Sequence, residues 1–132
     1  MASLVRLDVA QLAAGVVRFF PYTMHGQNAA GQEELALLEY DLAPKSTLAA
    51  RAVLASEVDG AVYVERSEPV PGLEAHAFRH PDGSVVRVVW SNDNQPHALP
   101  LAAGQRPLDV LGNPLAGASV RVAEEPIYLH GN

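Results

Sequence analysis

The second half of this sequence is a succession of short apolar segments, each closed by residues typical of turns, and this pattern constrains the fold more than any other feature. Pro81, Asp82 and Gly83 form the strongest hairpin signal, because proline presets its own φ and glycine accepts a positive one. The pattern predicts an antiparallel β-sandwich of about seven strands. The predicted strands are 61–65, 73–79, 84–91, 98–101, 108–110, 119–122 and 126–130.

The longest of these segments, 84–91, shows which face should be buried. Alternation places Val86, Val88 and Trp90 on one face and Arg87 and Val89 on the other. We expect the face that carries Trp90 to be the core face, because large aromatic side chains supply much of the buried area. The same argument favours a core position for Trp90 over an exposed platform for a sugar ring.

In the first 60 residues the apolar side chains recur with a different spacing. Val5, Val9 and Leu12 recur at helical spacing, which predicts a short helix that stops at Gly15. The run 16–20 is apolar on both faces and predicts a buried strand. Residues 35–42 form a short amphipathic segment before Pro44, and 46–58 predict a second helix. The sequence therefore predicts an α+β, mainly β, fold, with a helix-strand-helix unit at 1–60 and a sandwich at 61–132 packed as one unit.

Composition narrows the classes of function. A chain of 132 residues, 48% of them hydrophobic, supports one domain with one core. The net charge of -6 and the scattered basic residues argue against a nucleic-acid partner. Cysteine is absent from the sequence, so disulfides and thiolate zinc sites are excluded. Without a long apolar run or a signal-peptide pattern, we expect a cytoplasmic protein that does not enter a membrane.

Several groupings contain residue types found in catalytic or metal sites. The five histidines share no ligand spacing, so we expect neither a metal nor another cofactor. Ser91, Asp93 and His97 have the composition of a hydrolytic triad, but no Gly-x-Ser-x-Gly elbow accompanies them, and a polar turn is the simpler interpretation.

Acidic residues near His25 form another such grouping. Glu33, Glu34 and Asp41 could serve as acids beside this histidine in a small autonomous hydrolase. Clustered charges on a loop are usually solvated, because charged residues are rarely buried without a partner. We therefore rank this hypothesis last.

Three parts of the chain resemble the C-terminal region of (β/α)8-barrel glycoside hydrolases. The stretch Gly-Val-Val-Arg-Phe-Phe-Pro-Tyr-Thr at 15–23 is similar to the eighth barrel strand. Asp-Leu-Ala-Pro-Lys at 41–45, with the helix after it, is similar to the entry into the last barrel helix. Trp-Ser at 90–91, Asp-Val-Leu-Gly-Asn at 109–113 and Pro-Ile-Tyr-Leu at 126–129 are similar to the appended β-sandwich.

This resemblance implies that the catalytic residues are missing and that part of a substrate-contacting surface remains. The catalytic carboxyl pair of these enzymes follows the fourth and seventh barrel strands, which would lie upstream of this sequence, so we expect no catalytic residues and no enzyme activity here. Residues at the carboxyl end of the eighth strand would face the substrate. Tyr22, Thr23 and His25 are therefore expected to be the remnant of a rim that contacts sugar, although Phe-Pro-Tyr at 20–22 stands where many members of the family have a tryptophan.

The function predicted first is a non-catalytic accessory or interaction domain. The alternatives are a carbohydrate-binding module and a subunit of a split glycosidase. Barrel elements without their neighbours would leave apolar surface and strand edges uncovered. We therefore expect either a homodimer or a complex with an upstream catalytic chain, with carbohydrate as a further candidate ligand.

Overall fold

A computed structural model describes residues 2–18, 24–25 and 36–131 of the chain. Its two helices are α1 (Ala2–Ala13) and α2 (Ser46–Val58). Seven strands follow within the described residues: β1 (Val62–Ser67), β2 (Leu73–Arg79), β3 (Val85–Ser91), β4 (His97–Pro100), β5 (Arg106–Leu108), β6 (Ser119–Val122) and β7 (Ile127–His130). The fold is therefore mainly β, as predicted.

The strands form two antiparallel sheets. The larger has the order β1-β2-β3-β7-β5, and the smaller pairs β4 with β6. The hairpin predicted at 81–83 joins β2 to β3, where His80 N donates to Ser84 O and Gly83 N donates to His80 O, each at 2.9 Å. Asp82 strengthens this turn by accepting from the backbone N and the hydroxyl of Ser84. Local turn chemistry thus sets the register of the two longest strands.

Two apolar cores lie on opposite faces of the larger sheet. One lies between this sheet and the helices, and the other lies between the two sheets. The helical core contains Val5, Val9, Ala50, Leu54, Phe78, Val86, Val88, Trp90, Val110 and Tyr128. The inter-sheet core contains Leu73, Ala75, Val89, Leu99, Val120, Val122, Ile127 and Leu129.

These two cores correct the prediction for segment 84–91. Trp90 does lie in a core, as expected. The opposite face is buried too, because Val89 is fully buried against the smaller sheet. A near-continuous apolar run is the pattern of a strand covered on both faces, and β3 is such a strand.

The predicted helices are confirmed, whereas the strand predicted at 16–20 is not reproduced in its described portion. Residues 16–18 belong to no helix or strand, and Val17 is 94% exposed; residues 19 and 20 lie outside the described residues. A buried strand needs paired neighbours on both sides, and 16–18 have no strand partner among the described residues. Residues 36–45 form a turn rather than an amphipathic element, with isolated bridges from Leu38 to His25 and Pro44. The proposed boundary at residue 60 stays a prediction.

Candidate functional site

Of the three residues predicted to form a sugar-contacting rim, the structure describes His25. Tyr22 and Thr23 lie outside the described residues. His25 is half-buried, and its Nε2 lies 3.1 Å from the carbonyl oxygen of Tyr40, so this nitrogen is the donor. The two rings are stacked, with centroids 6.1 Å apart and an interplanar angle of 25°. Tyr40, 57% exposed, is a neighbour that the sequence analysis did not identify, because no local pattern links positions 15 residues apart.

Of the three acidic residues predicted to act beside His25, Asp41 lies in the described part of the chain. Glu33 and Glu34 lie outside it. Asp41 is exposed and its Oδ1 accepts a hydrogen bond from Ala43 N at 3.0 Å, which closes a local turn. The nearby Glu39 carboxylate lies 4.0 Å from Lys45 Nζ. These contacts give both described carboxylates a structural role.

Trp90 is enclosed rather than presented to solvent. Only 5% of it is exposed, and the His76 ring stacks on it with centroids 5.0 Å apart and an interplanar angle of 15°. The guanidinium carbon of Arg6 lies 5.8 Å from the indole centroid, and Arg6 Nη2 donates to the Ser91 carbonyl oxygen at 2.5 Å. A sugar-stacking platform needs an open ring face, and Trp90 does not offer one.

His76 belongs to a polar chain at the edge of the larger sheet. Its Nε2 lies 2.8 Å from Glu74 Oε1, and Glu74 Oε2 accepts from Arg66 Nη2 at 2.9 Å. The Nδ1 of His76 is buried without a hydrogen-bond partner in the described part of the structure. No group of three or more His, Asp or Glu side chains among the described residues is arranged to hold a metal ion.

The grouping of Ser91, Asp93 and His97 is brought together by the fold, but in the wrong order for catalysis. Ser91 Oγ donates to Asp93 Oδ1 at 2.8 Å, and His97 Nε2 lies 2.9 Å from both carboxylate oxygens of Asp93. In a hydrolytic triad the histidine lies between the serine and the acid, whereas here the carboxylate lies between the other two. Ser91 is also fully buried. The arrangement therefore holds a turn.

Hydrogen bonds within this turn determine the pKa of Asp93. Hydrogen bonding from His97, from the backbone N of Gln95 and from Ser91 lowers the pKa of Asp93 to about 2. Gly72 lies directly against this group, since a Cβ there would be 2.5 Å from His97 Nε2 and 2.8 Å from Asp93 Oδ2. The turn and the start of β2 are thereby packed together.

A second set of charged groups joins the helices to each other and to the sheet. Asp8 on α1 accepts from Arg51 Nε at 2.6 Å and from Arg51 Nη2 at 3.2 Å, and Glu57 on α2 lies 2.7 Å from His130 Nε2 on β7. Burial raises the pKa of Asp8 above its ordinary value, although Arg51 acts in the opposite direction. Burial, with the nearby acidic charges, also raises the pKa of Tyr128. These contacts position the helical layer on the sheet.

The fold is an antiparallel β-sandwich with a layer of two helices on its larger sheet, and a solved glycoside hydrolase contains the same arrangement. That structure is a family 39 glycoside hydrolase from the gut symbiont Bacteroides cellulosilyticus WH2, with a TM-score of 0.73 and 18% sequence identity. The match covers 99% of this chain and 30% of the hydrolase. This chain is therefore similar in fold to a part of a glycoside hydrolase, consistent with the C-terminal part that the sequence motifs predicted.

Other comparisons add little to this. A maltooligosyl trehalose synthase aligns with a TM-score of 0.38 and 22% identity over 64% of this chain and 11% of the synthase. No protein-family model matches the sequence, and no curated protein matches it significantly. Neither helix of the described chain has the length and apolar character needed to cross a membrane.

Proposed function

We propose that this chain is a non-catalytic accessory or interaction domain related to the C-terminal part of glycoside hydrolases. One observation carries the proposal: the fold corresponds over nearly its full length to less than a third of a larger glycoside hydrolase. An activity that needs the remaining part of such an enzyme would not reside in these residues. A subunit of a split glycosidase, which supplies this domain to a separate catalytic chain, is the alternative form of the same proposal.

The roles of four described carboxylates support a non-catalytic assignment. Glycosidases place two carboxyl groups across the scissile bond, about 5 to 9.5 Å apart. Asp8 and Glu57 instead form ion pairs beneath the helices, and Asp93 and Asp109 accept hydrogen bonds that hold turns. The catalytic pair would come from an upstream catalytic part.

The surface around the free edge of β1 supports an association role. β1 is an edge strand of the larger sheet, and its Val62 and Val64 are exposed, Val62 to 70%. Leu7, on the helix that contacts β1, is also exposed. Unpaired strand edges with exposed apolar side chains favour association. We propose that this edge pairs either with a second copy or with the upstream catalytic part.

Multi-angle light scattering of the purified chain tests the association. We expect the mass of a homodimer at micromolar concentration, and we expect Val62→Lys to shift it toward the monomer. Leu111→Lys is the matched control, because Leu111 is exposed in the turn after β5, the strand at the opposite edge of the larger sheet from β1. A monomeric wild-type chain that also fails to bind a glycosidase barrel supplied in trans would contradict the proposed association.

A panel of aryl glycosides tests the non-catalytic assignment directly. We expect no turnover by the purified chain. Turnover that survives purification to homogeneity would overturn the assignment and would direct attention to Asp41 and His25.

The stacked pair of His25 and Tyr40 favours carbohydrate contact as a second candidate function. An exposed aromatic ring beside a hydrogen-bonding imidazole can pack on a sugar and contact its hydroxyls. Titration with oligosaccharides, followed by NMR shifts of the amides of residues 24–25, 36–43 and 45, tests this role. Binding that Tyr40→Ala removes and Tyr40→Phe retains would support it, and unchanged spectra at millimolar sugar would contradict it.

A further inference from the structure

A cleft opens between the two sheets of the sandwich, on the side opposite the helices. Its volume is about 370 Å³. The apolar walls come from the inner faces of both sheets, with Ala75, Val89 and Leu129 on the larger sheet and Leu99 on the smaller. The cleft thus extends the inter-sheet core toward solvent, where the smaller sheet ends.

Arg87 brings a positive charge into this apolar cleft. It lies on β3 between Ala77 of β2 and Leu129 of β7, on the same face as the buried Val89. Its Nη1 donates to the Gly131 carbonyl oxygen at 2.9 Å. A guanidinium carries five N–H donors in a planar fork, so this bond leaves most of its donors for another acceptor.

The other polar side chains that line the cleft, Gln105 and Ser67, can also donate hydrogen bonds. Gln105 Oε1 accepts from Ala102 N at 2.9 Å, which leaves the side-chain NH2 of Gln105 to donate. The hydroxyl of Ser67 adds a third donor at the rim. None of the described residues that line the cleft is an aspartate or a glutamate. A charge among apolar walls is costly unless it is paired, so the cleft is suited to an anion.

We propose that this cleft binds a small carboxylate with a compact apolar body, such as a short-chain or aromatic monocarboxylic acid. The carboxylate pairs with the free donors of Arg87 and with the Gln105 amide, and the apolar body lies between Val89, Leu99 and Leu129. The volume falls within the range of small-ligand pockets, about 300 to 1,000 Å³. This site does not depend on the proposed accessory role, because it lies within the sandwich itself.

The test is a ¹⁵N NMR titration of the full chain with hexanoate and, separately, with 1-hexanol, which has the same apolar body without the charge. We expect hexanoate to shift the backbone amides of residues 87–89, 99, 101, 102 and 105 and the Gln105 side-chain amide. Binding of 1-hexanol should be at least about tenfold weaker, because charge-assisted bidentate bonds are the stronger class of hydrogen bond.

Variants at Arg87 and Arg106 test which of two neighbouring cavities binds hexanoate. Arg87→Met keeps an apolar stem and should weaken hexanoate binding about tenfold or more, whereas Arg87→Lys keeps the charge and should weaken it less. Arg106→Met is the matched control, since Arg106 lines the neighbouring cavity of about 450 Å³ with Leu108, Leu115 and His130. It should leave hexanoate binding unchanged.

Three results would overturn the proposal. One is equal affinity of the wild-type chain for hexanoate and 1-hexanol, which requires no variant to fold. Another is a set of shifted amides centred on the neighbouring cavity, with binding lost in Arg106→Met and not in Arg87→Met. The third is no shift at all in the amides of the cleft at millimolar hexanoate.

Discussion

Replacement of Gly72 by alanine should destabilise the protein by an amount that depends on its contact with His97. Gly72 has a φ of +86°, in the left-handed region that disfavours residues with a Cβ. A Cβ at this position would also lie 2.5 Å from His97 Nε2 and 2.7 Å from His97 Cε1. Asp93 Oδ2 would lie 2.8 Å from the same Cβ, so the ring and the carboxylate must both move, which disturbs the contact between them.

Gly83 separates these two effects, because its φ is also +86° but a Cβ there would meet nothing within 4 Å. Gly83→Ala should cost about 1 kcal/mol from backbone strain alone. Gly72→Ala should cost about 0.5 to 1.5 kcal/mol more, the net worth of one hydrogen bond, because the atoms in the way are the ends of the flexible His97 and Asp93 side chains. For a domain of this size that excess corresponds to a difference of about 2 to 5 °C in Tm.

Urea denaturation of both variants measures the excess, and a His97→Ala background isolates its cause. Without the imidazole ring, the cost of Gly72→Ala should fall toward that of Gly83→Ala, and the excess that remains is the part due to Asp93 Oδ2, 2.8 Å from the Cβ position. NMR titration supplies an independent reading, since loss of the His97 contact should raise the pKa of Asp93 from about 2 toward its ordinary value. Equal costs for the two glycine variants in the wild-type background would refute the steric argument.

Three further predictions concern pH, solvent access and a buried hydroxyl. Because the folded-state pKa of Asp93 is lowered to about 2 from 3.8, its contribution to stability is complete above pH 4 and is lost as the pH falls toward 2; Asp93→Asn should flatten this part of the pH profile of unfolding. Acrylamide should quench the fluorescence of Trp90 weakly, since His76 and Arg6 cover the indole, and quenching as strong as that of free tryptophan would contradict its burial. Tyr128→Phe should leave stability unchanged or raise it by up to about 1 kcal/mol, because the Tyr128 hydroxyl is buried without a hydrogen-bond partner in the described structure; a loss above about 1 kcal/mol in urea denaturation would indicate a partner.

Much of the secondary structure was predictable, because it depends on signals within a few residues. The helix at 46–58 and the strands at 73–79 and 119–122 have the predicted bounds. In each of these elements the apolar periodicity and the flanking turn residues are local signals, and both predict the same bounds. The strand predicted at 16–20, which is not formed at 16–18, shows the limit of this reasoning, since an apolar run forms a strand only if a neighbour pairs with it.

The candidate site was predictable only in part. The sequence resemblance pointed to His25, and the structure places Tyr40 beside it; any ligand role of Tyr22 and Thr23 stays a prediction. Alternation along β3 also predicted that Arg87 and Val89 share a face. That this face borders a cleft became visible only with the second sheet in place.

By itself, the sequence determined the type and the approximate bounds of both helices and of the strands after residue 60, the mainly β class and the position of the tightest hairpin. The tertiary structure decided the sheet order β1-β2-β3-β7-β5, the burial of both faces of β3 and the contacts that join distant parts of the chain. Arg6 reaches the carbonyl of Ser91 across 85 residues, and Arg51 reaches Asp8 across 43. Periodicity and turn chemistry act over a few residues, whereas such contacts depend on which strands and helices become neighbours when the apolar faces are buried together.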